Sequence, residues 1–386
     1  MPQAPDVVAD RTGLAEVAAG VRAAAAEGAP LAVRGSGSWW TDAPADARAL
    51  SIAGLDAVSD FDPADLVVTV GGGAPLDRLA ARLAARGAWL PFDPPGSPAR
   101  TVGGALASGG GGPLAAHYGP ARDQVLGLTV VAGDGTVVRL GGRVVKNVAG
   151  FDLAKLVVGG HGAFGVIAEA HLRLRARPAV DRTAVWSGGA AWVERASAAA
   201  LAEATSPAAL EAVSPGLSAQ LGWGQAWSLA ARCVGPGAGV AEELEAVARA
   251  AGAPAPLALE GDGPWTPWRE AVGRWPVVVR VGAEPGSWMR AVELAGRHLG
   301  PLLGASATVP RGTVRCGVER GDAAAIARLR AEAAGRGWPV TLERADAATR
   351  TAAGVWGALP PAIERITRAL QATFDPPGIL AAPLLA

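Results

Sequence analysis

Apolar positions near the start of the chain switch between helical and strand spacing. GLAEVAAGVRAAAAEG (13–28) has helical spacing and ends at Gly28, and PLAVRGSG follows as a strand. ALSI and DLVVTVGGG read as further strands, and APLDRLAARLAARG (74–87) as a helix stopped by Gly87. These elements predict a small α/β unit. Residues 91–123 show no sustained period and carry proline and glycine throughout. A linker would be polar and featureless, whereas this stretch holds the only tyrosine, Tyr118, with His117 and the pair Arg122-Asp123. It is therefore expected to be a functional loop system.

QVLGLTVVAGDGTVVRLGG predicts a hairpin turning at Asp134-Gly135, and FDLAKLVVGG (151–160) a short helix. Val166, Ala168, Ala170, Leu172 and Leu174 then alternate with Glu169, His171, Arg173 and Arg175, broken only by Ile167. That period of two predicts a half-buried strand ended by Pro178. Gly160, Gly162 and Gly165 lie between helix and strand and spell G-x-G-x-x-G, with Asp181 downstream. A Rossmann site needs a strand before these glycines and a helix after them, because the helix N-terminus meets the pyrophosphate. Here the order is reversed, which excludes the NAD reading.

Beyond residue 179, AAWVERASAAALAEA, GVAEELEAVARAAG, SWMRAVELAGRHLG and DAAAIARLRAEAAGRG read as helices. WSLAARCVG, PVVVRVGA, GTVRCGVE and PVTLERA read as strands. The expectation is an α+β unit with an antiparallel sheet and helices on one face, without an internal repeat. Ten of the 13 tryptophans lie here, and they read as large core residues or as an interface.

Half of the 386 residues are hydrophobic and 18% are charged, so sizeable cores are expected. The formal net charge of zero argues against nucleic acid as the main partner. Cys233 and Cys316 lie far apart without metal-ligand spacing, which fits a reducing cytoplasm. Neither a secretory signal nor an uninterrupted run of about 18 apolar residues is evident. Lysine occurs only at 146 and 155 against 33 arginines, and the single asparagine is Asn147. Positions that keep such rare types are candidates for function.

Three glycine loops, VRGSGS (33–38), RTVGGALASGG (100–110) and GAFGVI (162–167), offer bare backbone to a flat ring or a pyrophosphate. With DPPGSPARTVGGALASGG, GPARDQVLGLTVVAGDGTVVRLGG and VVKNVAGFDLAKLVVGGHGAFGVIAEAHLRL, they resemble the PCMH-type FAD-binding domain of the vanillyl-alcohol oxidase class. Within that class the last stretch is closest to the FAD-binding E subunit of bacterial glycolate oxidase. The resemblance covers about 1–178 strongly and the remainder loosely. It implies an α+β protein: a PCMH-type FAD-binding domain of two α/β subdomains (1–178), a smaller α+β cap with an antiparallel sheet (179–360), and a C-terminal helix and tail returning to the first domain (361–386).

Carried over by position, Arg34, Gly35, Ser36, Gly37 and Ser38 would form the pyrophosphate loop. Thr101, Gly103, Gly104, Ser108 and Gly109 would run along the ribityl chain and isoalloxazine, and Gly165, Val166 and Ile167 would hold adenine and ribose. Lys146, Asn147 and Asp152 match the signature stretch. Some members tether FAD through a histidine in the pyrophosphate loop; Ser38-Trp39-Trp40 stands in that region, so non-covalent FAD is expected. His298 is the only histidine after 171, and one histidine builds no metal site. The terminal GILAAPLLA also departs from the family's Asn-Pro-Gly ending.

Oxidising a 2-hydroxy acid needs a base, a cation for the carboxylate and a hydride acceptor. His117 and His161 are the candidate bases; Arg122, Lys146 and Arg280 are the candidate cations. The resemblance implies the FAD-binding subunit of a glycolate oxidase-type complex acting on glycolate or D-lactate. Its partners would be a catalytic flavoprotein and an iron–sulfur subunit, in the cytoplasm or at a membrane through those partners, with no membrane span of its own. A stand-alone FAD-dependent 2-hydroxyacid dehydrogenase and a non-catalytic scaffold of the same fold remain open.

Overall fold

The computed structural model describes residues 11–40, 42–43, 46–143, 151–203, 206–252 and 257–380. In the first part of the chain, helix α1 (Arg11–Glu27) leads into strands β1 (Leu31–Arg34), β2 (Arg48–Ser51), β3 (Val58–Asp62) and β4 (Val67–Gly71). Next come α2 (Leu76–Ala84), β5 (Ala88–Trp89), and the short helices α3 (Val102–Ser108), α4 (Ala115–Tyr118) and α5 (Ala121–Gln124). Strands β6 (Val125–Val131) and β7 (Val137–Gly141), helix α6 (Leu153–Val157), β8 (Val166–Arg173) and β9 (Arg175–Ala176) complete this part.

β1 and β2 pair in parallel, and Leu31 also bridges Leu380 near the C-terminus. The apolar side of α1, Val17, Val21 and Ala24, packs there with Ile52, Val131, Val166 and Ile379. The larger sheet is antiparallel in the order β3-β4-β8-β6-β7. The expected hairpin is β6–β7, and Gly135 turns it at φ 80°. β8 is buried at alternate positions from Ala168 to Leu172, as its period of two requires. Its break at Ile167 has a local cause: pairing with β6 shifts register between Thr129 and Val130, so consecutive Ile167 and Ala168 are both buried.

The second part runs β10 (Val180–Gly188), α7 (Ala190–Ala202), β11 (Ala209–Val213), α8 (Pro215–Gln220), β12 (Trp227–Gly235), α9 (Gly237–Ala251) and β13 (Leu257–Glu260). After α10 (Trp265–Arg274) come β14 (Val277–Gly282), α11 (Trp288–Leu299), β15 (Gly304–Thr308), β16 (Thr313–Val318), α12 (Ala323–Ala334), β17 (Val340–Arg344), α13 (Ala347–Ala353) and α14 (Pro361–Phe374). The eight strands form one antiparallel sheet, ordered β13-β10-β12-β11-β15-β16-β14-β17.

That order contains two β-α-β-β-α-β units, β10 to β13 and β14 to β17, joined at their β11 and β15 edges by the pairs Glu211–Thr308 to Val213–Ser306. The repeat absent from the sequence reading is thus present in topology. Apolar residues of α7, α9, α11 and α12 cover one face of the sheet. The opposite face is not bare, contrary to the one-sided expectation: α8 and α10 pack there with Trp223, Trp265, Trp268 and Trp275. Seven of the ten C-terminal tryptophans are buried, which supports the core reading over the interface reading.

Both parts meet along Trp39, Trp40, Asp42 and residues 93–112. Gly96 N–H donates to Arg269 C=O at 2.8 Å, and the Asp42 carboxylate accepts from the Ala347 N–H and from Arg350. α14 lies against the first sheet's core, where Phe374 meets Phe164 at 6.0 Å, edge to face.

Candidate functional site

Every sequence-selected cofactor residue except Gly109 lines one cavity of about 780 Å³. Arg34 to Ser38 enter it from the end of β1, Thr101, Gly103, Gly104 and Ser108 from α3, and Gly165 to Ile167 from the start of β8. Gly109 ends α3 in the left-handed region (φ 61°) and faces an adjoining cavity.

The glycines act in two ways. A Cβ on Gly35 would stand 2.1 Å from Thr101 Oγ1, and one on Gly103 would stand 2.8 Å from Gly72 O, so close backbone packing excludes side chains there. A Cβ on Gly37 or Gly162 would meet nothing within 4 Å, and both residues take positive φ, at 66° and 89°. Bare, curved backbone from three loops around one cavity suits a dinucleotide lying along main chain.

The sequence reading missed the floor of this cavity. Arg100 is 2% exposed, lies 4.2 Å over the Trp39 ring, and donates to Pro95 C=O and the Ser108 hydroxyl. Burial pushes its pKa down to about 9 against the pull of Glu343, so it stays cationic at neutral pH. Trp40 stacks on His161 at 5.2 Å. The doublet Trp39-Trp40 after the loop was the available signal.

His161 has φ 51°, a conformation that non-glycine residues seldom adopt. Burial lowers its pKa to about 4, with Arg280, Arg100 and Arg350 adding to the shift and Glu343 opposing it, so its ring is neutral at pH 7.

A second, polar cavity of about 910 Å³ shares Ser108 and His161 with the first. Four guanidiniums line it, from Arg122, Arg280, Arg311 and Arg315, against one carboxylate, Glu343. Arg280 and Arg315 stand directly opposite each other in β14 and β16, a pairing that like charges disfavour. Glu343 offsets the repulsion: it accepts from Arg280 at 2.7 Å and from Arg315 at 2.8 and 3.2 Å. Burial alone would raise the Glu343 pKa, but these arginines hold it below the usual carboxylate range.

Arg122 and Arg280, both selected from sequence, therefore share this cavity. His117 does not. It is exposed, with its Nδ1 3.3 Å from the Ser206 hydroxyl, because α4 turns it away from both cavities. Lys146 and Asn147 lie outside the described residues. Asp152 caps α6 through the Lys155 N–H. His298 Nε2 meets Glu332 at 2.8 Å on the surface of the helical layer. Burial raises both cysteine thiols to about 12, which leaves them protonated and unreactive at neutral pH.

Three glycine loops outside any Rossmann unit thus line one cavity, beside a second lined by four arginines. Residues 5–141 match the family model described as FAD binding domain. That stretch is an FAD-binding domain of the PCMH-type fold, and FAD is the cofactor of that domain.

Over 161 residues the chain is 38% identical to "Glycolate oxidase subunit GlcE" of Escherichia coli (strain K12), covering 41% of this chain and 46% of that one. "Glycolate oxidase subunit GlcD" of Bacillus subtilis (strain 168) is 35% identical over 130 residues, 33% of this chain and 27% of that one. A "D-lactate dehydrogenase" of Archaeoglobus fulgidus is 32% identical over 171 residues, 44% of this chain and 38% of its own. The chain thus spans less than half the length of these curated relatives. The solved structure of an alkyldihydroxyacetonephosphate synthase matches with a TM-score of 0.66 over 95% of this chain and 74% of that one, at 16% identity, which is a likeness of fold.

Proposed function

We propose that this chain is the FAD-binding subunit of a glycolate oxidase-type complex oxidising a small 2-hydroxy acid such as glycolate or D-lactate. One observation carries the reading: an arginine-lined cavity adjoins the candidate cofactor cavity, sharing the lining residues Ser108 and His161 with it. Arg34 to Ser38, Thr101 to Ser108 and Gly165 to Ile167 would hold FAD, with Gly109 at the border. Bound FAD supplies a hydride acceptor for the substrate carbon. The arginines bind the substrate carboxylate and orient it, bidentate contact from a planar guanidinium fixing direction as well as charge.

The proton acceptors favour a subunit over a stand-alone enzyme. Among the described residues the polar cavity offers His161 and Glu343, and both sit at low pKa, His161 at about 4. A general base works best with a pKa near the operating pH, so neither is matched to removing a hydroxyl proton at pH 7. A base would then have to reach this cavity from the catalytic flavoprotein partner, with an iron–sulfur subunit receiving electrons. In this reading residues 1–178 hold the flavin, 179–360 cap it, and 361–386 return to the first unit. The chain works in the cytoplasm, reaching a membrane only through its partners.

The test is turnover of glycolate and D-lactate with a dye acceptor, by the FAD-loaded chain alone and by the reconstituted complex. The reading expects turnover only from the complex. Turnover at ordinary enzyme rates by the chain alone would establish the stand-alone dehydrogenase instead.

A further inference from the structure

Glu343, 6% exposed near the end of β17, is bonded from two directions. Its main-chain carbonyl accepts the indole N–H groups of Trp39 at 2.9 Å and Trp40 at 3.3 Å. These tryptophans directly follow the 34–38 loop of the cofactor cavity. Its carboxylate takes the other direction and holds Arg280 and Arg315 in the polar cavity.

Both guanidiniums are then locked by second bonds. Arg315 donates to Gly111 C=O at 2.6 Å, and Arg280 donates to the Thr341 hydroxyl at 3.0 Å. The 34–38 loop is thus connected, through two indole–carbonyl bonds, to the end of β17, the strand that carries the carboxylate holding both cations. Buried charge-assisted bonds of this kind have little freedom to absorb a shift of that loop locally.

We propose that Glu343 is a positioning residue coupling the two cavities, so that ordering the 34–38 loop on a diphosphate aligns Arg280 and Arg315 for a carboxylate. This rests on the reading that FAD fills the first cavity and an anion the second. Coupling between binding sites is reciprocal, so the anion must tighten FAD binding by the factor by which FAD tightens the anion.

The experiment uses the full chain, stripped of FAD and reloaded, with oxalate as the anion probe. Calorimetry gives the oxalate Kd with and without FAD, and the FAD Kd with and without oxalate. The wild type is expected to show equal ratios in both directions, of about fivefold or more. Trp39→Phe keeps an aromatic ring and loses the N–H; Glu343→Gln keeps the shape and loses the charge. Each variant, folded by circular dichroism, is expected to bind both ligands with the ratio reduced below about twofold.

A wild-type ratio of one, or variants that keep the wild-type ratio, overturns the coupling while leaving both sites standing. Failure of the wild type to bind FAD or oxalate overturns the underlying site reading and the coupling with it. Should Glu343→Gln not fold, Trp39→Phe and Trp40→Phe decide the matter by the same ratio.

Discussion

Gly35→Ala separates two reasons for a bare backbone in the first glycine loop. A Cβ there would lie 2.1 Å from Thr101 Oγ1, 2.9 Å from Cγ2 and 3.0 Å from Cβ. Rotating the threonine away would break its bond with the Gly104 N–H, whereas its Cβ contact needs a shift of only a few tenths of an ångström. The loop must move, and overpacking of this kind costs about 1–3 kcal/mol. Thr101→Ala alone removes the cap that accepts from the Gly104 N–H at 3.3 Å, a loss of about 1 kcal/mol.

If the threonine is the obstacle, the double variant loses little more than Thr101→Ala alone. The interaction energy is then about 1–3 kcal/mol in favour of the pair. Urea unfolding of the FAD-free chain measures this, and FAD titration by fluorescence quenching measures the site. About 2 kcal/mol of loop displacement corresponds to roughly 30-fold in FAD affinity, which the double variant should recover. Strictly additive unfolding energies would refute the steric argument. Recovered stability with FAD binding still lost would assign the missing side chain to the cofactor instead.

Three further outcomes follow from the buried groups. His161 binds a proton less readily folded (pKa about 4) than unfolded (6.5), so stability falls as pH drops through that window. His161→Asn, which tolerates positive φ, should flatten that part of the urea-unfolding profile by up to about 3 kcal/mol. Glu211 behaves oppositely: burial raises it from 4.5 to about 8 against the hydrogen bond that the Ser306 hydroxyl donates at 2.6 Å, so its contribution is lost as pH rises through that range. Glu211→Gln should be more stable than wild type at about pH 8 and lose that slope. Trp268→Ala removes a fully buried indole that donates to the Ser306 hydroxyl at 2.8 Å, and should lower unfolding free energy by about 3–5 kcal/mol.

Regular alternation and turn chemistry made much of the fold legible before any coordinates. The β6–β7 hairpin, the β8 alternation and the helices α7, α9, α11 and α12 all declared themselves in this way. β11 (ALEAV) and β15 (GASAT) did not, because both are buried on two faces and rich in alanine, which has little strand preference. They are the strands that join the two halves of the large sheet, so the topological repeat stayed hidden with them.

The glycine loops were legible because unusual backbone needs an unusual residue. The arginine cavity was not, since Arg280, Arg315 and Glu343 come from three strands and meet only through cross-strand register. His117 shows the converse: a rare residue in a glycine-rich loop region can face solvent and line neither cavity.

Hydrogen exchange with and without FAD tests the central claim most directly. The account expects added FAD to protect backbone amides in 34–38, 101–109 and 162–167 together, while the β14–β16 core of the large sheet stays unchanged. Protection of only one of these loops, or of residues elsewhere with all three unchanged, would contradict it.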